Sequence, residues 1–312
     1  MDAGASRPDG ELIHSEKLWY DDGNVVLASE SVGFKVYRGL LAQHSAVFAD
    51  MFAVCDHDTN IDPRYGCPLV YMPDPAEDLE RLLSAIFHGT GLEDHGPLPE
   101  TISILSLSIK YDINRLRDRA MRRFEDYYPA DFDSYVSSIP SCHLDGSPAD
   151  HARAMALART LGLSTIVPVT MLALCEYGIE GILQANLEPD DLLVTLRGHQ
   201  KLHTIQRTCS LRWACTGCEA PKTCAYMQWT LSKVLEDQFE SRGLAYLLRD
   251  RLAPPFAPCE TCMGCSTPIW ENEETNRRNA WDCVPTVFGF RSWEELQREE
   301  TMVCLNTGLA IL

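Results

Sequence analysis

Basic side chains are in short supply: 27 Lys and Arg stand against 45 Asp and Glu, a formal net charge of −18 over 312 residues. A surface of that sign repels phosphate backbones, so direct nucleic-acid binding is not expected. Long apolar runs are missing too. The longest mainly apolar stretch, Ile166 to Cys175, is about half of what a membrane span needs, and no membrane association is expected. The opening segment, MDAGASRPDGELIHSEK, has neither a basic n-region nor an apolar h-region. An intracellular protein, cytoplasmic or nuclear, is the expectation. Familiar catalytic strings are absent: there is no GxGxxG, no Walker loop, no HExxH and no GxSxG. The chain therefore reads as a non-enzyme with no small-molecule substrate.

Cysteine, by contrast, is plentiful and unevenly placed. Four of the 13 cysteines precede residue 200 and nine follow it, whereas the acidic excess lies almost wholly in residues 1–200. Two compositions argue for more than one structural unit. Without a secretory signal, a disulfide framework is a poor reading of these thiols. Cys209, Cys215, Cys218 and Cys224 form C-x5-C-x2-C-x5-C, and Cys259, Cys262 and Cys265 form C-x2-C-x2-C. Two thiolates on a tight turn can reach one tetrahedral zinc at about 2.3 Å. The expectation is one structural zinc held by Cys215, Cys218, Cys262 and Cys265, with Cys259 able to replace either of the last two. The competing reading leaves the thiols buried and metal-free. His199 and His203, at i,i+4 spacing, suit either a metal or an exposed helix face.

The pattern along the chain is α+β. Residues 1–17 read as disordered, 18–128 as a small sheet packed on a helical cluster, 129–200 as a helical extension and 201–312 as a cysteine-rich helical region. Asn24–Ser29 and Phe34–Tyr37 predict a hairpin. Leu40, Leu41, His44, Val47, Phe48, Met51 and Phe52 fall at helical spacing and predict one amphipathic helix. Leu40, Leu41, Val47, Phe48 and Met51 are its candidates for core or dimer contacts. Asp74 and Pro75 predict a capped helix start and Gly89 its end. Pro99 and Glu100 open a further helix, and Asn114 caps the next. In that last helix Arg115, Arg117, Arg119, Arg122 and Arg123 make a basic run, read chiefly as a solvated face. Farther on, Ser164 is a candidate cap, and Pro189 and Asp190 predict a short helix through Leu196.

The strings Asp21-Asp22-Gly23-Asn24-Val25, Phe34 through Leu41, Ser45 through Phe52 and Lys110 through Leu116 together resemble a BTB/POZ domain. Tyr37 departs from that pattern, which commonly has His. The ending from Trp281 to Trp293 resembles the W-x-x-L-P-x-x-F-G-L-x-x-W tail of fungal BTB proteins, with Val284 and Phe290 at its leucine positions. The resemblance implies a homodimer and a protein-binding role. One form of that role is an adaptor that presents a target to a cullin ubiquitin ligase. Val54-Cys55-Asp56 keeps the apolar-x-acid order of a cullin contact, with Asp for Glu, which makes Val54 and Asp56 the contact candidates. A dimeric scaffold in transcription or chromatin assembly is the alternative, and a zinc enzyme of unknown type a remote one.

Overall fold

The computed structural model describes residues 11–54, 61–91, 96–142, 146–210 and 263–307. It is α+β: one five-stranded sheet and, among the described residues, twelve helices. The chain divides into two compact units, Met1–Asp126 and Tyr127–Leu312.

The first unit is built on strands β1 (Ile13–Trp19), β2 (Val25–Ser29), β3 (Val32–Val36), β4 (Ile61–Asp62) and β5 (Cys67–Tyr71), in the order β1-β3-β2-β5-β4. Ordered structure thus starts before residue 18. β2 and β3 form the expected antiparallel hairpin in register Val25↔Val36 to Ser29↔Val32. Its turn is only Glu30-Ser31, tighter than the pattern predicted, and Glu30 takes a left-handed conformation. β1 pairs with β3 and β5 with β2, both in parallel. Parallel neighbours need crossovers and covered faces. The central strand β2 is accordingly buried at every position.

The predicted single helix over Leu40–Phe52 is two, α1 (Arg38–His44) and α2 (Ala46–Val54), broken at Ser45. Ser45 is extended (φ −144°), and its Oγ accepts from the Phe48 amide at 3.0 Å. That is an N-cap, and it offsets the lost helical bonds. The break turns His44 outward, away from the apolar face it was assigned to. α3 (Ala76–Phe87) begins after Pro75, not at a side-chain cap from Asp74. Asp74 is instead drawn inward, where Tyr111 and Lys110 donate to its carboxylate and Ser29 donates to its carbonyl. Leu79, Leu82 and Leu83 of α3 are fully buried, as their spacing requires. α4 (Leu98–Lys110) and α5 (Asn114–Tyr127) complete the unit, with Ile102, Leu105, Leu107, Leu116, Ala120 and Phe124 facing in.

The second unit is helical: α6 (Phe132–Cys142), α7 (Pro148–Leu161), α8 (Ile166–Cys175), α9 (Gly178–Gln184), α10 (Pro189–Ser210), α11 (Met263–Val287) and α12 (Trp293–Thr307). α8 is its axis, with all ten residues buried. Pro168 is tolerated there because it lies in the first turn, where amides lack intrahelical partners. Ser164 does not cap α8. The Glu300 carboxylate of α12 instead ties down the residue before the helix, accepting from the Thr165 amide at 3.2 Å and its hydroxyl at 2.7 Å. α7 carries a capping box between Ser147 and Asp150 and ends at Gly162 in the left-handed region. α10 runs for 22 residues, not only through Leu196. It passes Gly198, where a Cβ would stand 2.2 Å from the Phe288 ring. The Trp281–Trp293 segment is a helix stop: Gly289 (φ +82°) ends α11, and Trp293 on α12 stacks back on Trp281 at 5.0 Å. No helix among the described residues is long and apolar enough to cross a membrane.

Candidate interaction surface

The residues singled out on α1 and α2 separate by depth. Leu41 and Phe48 are core, Leu40 and Met51 are half-buried, and Val47 is 37% exposed. Val54, at the end of α2, is 85% exposed. Val47 and Val54 are seven residues apart and so share one face of the helix. Ala46, Asp50 and Ala53 are exposed beside them. The outward side of α2 is therefore apolar with a single acid. Asp56, the second cullin-contact candidate, lies outside the described residues.

What holds α2 in place is chemistry at the end of α4. Phe48 stacks on the Tyr111 ring at 4.6 Å and 12°. Ser45 Oγ donates to the Tyr111 carbonyl at 2.5 Å. The Tyr111 hydroxyl donates to Asp74, and Lys110 Nζ reaches the other carboxylate oxygen at 2.5 Å. Burial and the Asp74 carboxylate push the Tyr111 phenol well above its ordinary range, so it stays a donor. The S-x-x-F and K-Y segments, 65 residues apart in sequence, thus form one joint. Tyr37 takes part elsewhere: its hydroxyl donates to Asp22 at 2.6 Å and its ring stacks on Tyr20 at 5.0 Å.

The first unit also holds a half-open cleft of about 200 Å³, between the end of α1, the end of α3 and the start of α5. Its apolar floor is Ala85, Ile86, Ile113 and Leu116, and its rim carries His44, Arg115 and Arg119. Two members of the basic run thus share a site. Arg117 pairs with its neighbour Asp118 at 3.0 Å, and Arg122 is exposed. Arg123 departs from the solvated reading: it is 6% exposed and its guanidinium donates to the Gly91 carbonyl. Gly96 makes room for it, since a Cβ there would stand 2.1 Å from Arg123 Nη2. The spacing of the arginines gives no sign that one points inward. The contact with residues 91 and 96 belongs to tertiary structure.

Of the expected zinc ligands, Cys215, Cys218, Cys259 and Cys262 lie outside the described residues. Cys265 lies in the first turn of α11, with its side chain outside them as well. Among the described residues no group of three or more His, Cys, Asp or Glu could hold a metal. Cys67 and Cys175 are buried thiols, and burial raises the pKa of both. Cys283 is exposed. In the second unit, His151 is enclosed by Tyr128 (2.8 Å to Nδ1) and Tyr177 (3.4 Å to Nε2), and burial lowers its pKa to about 4. This ring is a neutral core group, and no nucleophile is placed against it among the described contacts. Compared with known proteins, the chain matches no protein-family model, and no curated protein shows significant similarity to it.

Proposed function

We propose that the chain is a non-catalytic protein-interaction module whose first unit is BTB/POZ-like and dimerises, and that the dimer is an adaptor for a cullin ubiquitin ligase. The observation that carries this reading is the outward face of α2. Val47 and Val54 are left exposed on a helix whose other side is locked into the core by Phe48. Exposed apolar side chains on a rigid helix are the usual raw material of a helix-mediated interface. The order of the first unit's elements, hairpin then α1–α2 then strand then α3–α5, also suits the resemblance read in the sequence. Such an adaptor works in the cytoplasm or nucleus.

The test is calorimetric titration of the full chain with a cullin N-terminal domain. A dissociation constant near or below about 1 μM, roughly −8 kcal/mol, is expected for the wild type. Val54→Asp should abolish the heat without changing the melting temperature. No heat for the wild type at tens of micromolar overturns the adaptor role. The cleft rimmed by His44, Arg115 and Arg119 favours a second reading, a dimeric scaffold that gathers acidic segments of transcription or chromatin proteins. In that case an acidic peptide, and not the cullin domain, binds, and Arg115→Glu with Arg119→Glu removes it.

A further inference from the structure

α10 presents two imidazoles to each other. His199 and His203 are one helical turn apart, both half-buried, with their Nε2 atoms 3.2 Å from one another and ring centroids 4.4 Å apart. The segment that carries them is held from both sides of His199. Gly198 packs directly on Phe288, and Lys201 Nζ donates to the Val287 carbonyl at 3.1 Å. The two rings are therefore set on a helix whose position is fixed by the end of α11.

We propose that His199 and His203 are two ligands in a binding site for a divalent transition-metal ion of the zinc class. The distance carries the argument. Two metal–nitrogen bonds of about 2.05 Å at a tetrahedral angle place the nitrogens about 3.3 Å apart, one edge of the coordination shell. The observed 3.2 Å is close to that edge, and a rotation of the rings, whose centroids are 4.4 Å apart, brings both lone pairs onto one point. The i,i+4 spacing is what lets two side chains on one helix face a common point. Among the described residues no third His, Cys, Asp or Glu joins the pair to make a three-ligand group.

The proton count is simple. Without metal, one ring must carry its hydrogen on Nε2 and donate it to the Nε2 lone pair of the other. With metal, both Nε2 atoms give their lone pairs to the ion, and the displaced hydrogen moves to Nδ1 of the same ring. From two neutral imidazoles, each ring keeps one proton and none is released. This site lies in the second unit and is independent of the adaptor reading.

The test is nitrogen-15 NMR of the full chain, labelled at histidine, during titration with Zn2+. Its readout is blind to zinc bound by thiolates. Saturable zinc binding should shift the Nε2 resonances of His199 and His203 together and turn both rings to the Nδ1–H tautomer. The two rings are identified through the cross-peak their proximity demands, independently of any variant. His199→Gln or His203→Gln should weaken zinc binding at the remaining ring about tenfold or more, because the second imidazole no longer supplies its high effective concentration. Separate responses of the two rings, no response by about ten equivalents, or an unchanged response in a folded single variant would each overturn the site.

Discussion

Tyr111 ties together three segments distant in sequence: its ring supports Phe48, its carbonyl receives Ser45 and its hydroxyl holds Asp74. Only the last of these is lost in Tyr111→Phe. That substitution leaves a carboxylate oxygen of a buried Asp without its donor, so denaturant unfolding of the full chain should show a loss of about 1–3 kcal/mol. His151 makes a prediction about pH. Its pKa is about 4 when folded and about 6.5 when unfolded, so the unfolded chain takes up the proton first as pH falls. The contribution is complete above pH 6.5 and is lost on acidification toward pH 4, reaching on the order of 3 kcal/mol. Stability curves from pH 7 to 4.5 should be steeper for the wild type than for His151→Gln. Equal slopes would show that the imidazole is not kept neutral by its enclosure.

At the scale of elements, Ser45 illustrates what a sequence conceals. Its neighbours run on at helical spacing, and only the serine, a good cap and an unremarkable helix residue, marks the break. Ser45→Ala should cost about 1–2 kcal/mol through the lost cap on α2, seen as a lower denaturant midpoint with unchanged slope. The β2–β3 hairpin and the stripes of α3, α4 and α5 were legible because period-2 and period-3.6 patterns survive in a single sequence, whereas β1 fell in a segment that reads as disordered. The parallel pairing of β1 with β3 was not, since no local signal announces a partner brought in by a crossover. The same division runs through the candidate surface. Val54 ends a helix whose apolar spacing is local, whereas His44 and Arg115 in one cleft, Arg123 turned inward and Glu300 bonded to Thr165 all depend on contacts between distant segments.

For the molecule as a whole, the two units have separate cores, and single substitutions should report on them separately. Gly96→Ala forces a Cβ against Arg123 in the first unit, and Gly198→Ala forces one against Phe288 in the second. Hydrogen exchange on the full chain should show faster exchange confined to the unit that carries the substitution, with overpacking costs of about 1–3 kcal/mol in each. Spread of the effect through both units would mean that they unfold as one. α8 gives the second unit a further property. Its ten side chains are hidden on every side, with no polar stripe to remain wetted when neighbours leave. In the native chain the segment is silent. Once α7 and α11 part from it, Ile166–Cys175 becomes a mainly apolar, sticky tract of the kind chaperones bind and quality-control systems use to mark a chain for disposal. The cellular lifetime of this protein is thereby tied to how long one short helix stays covered.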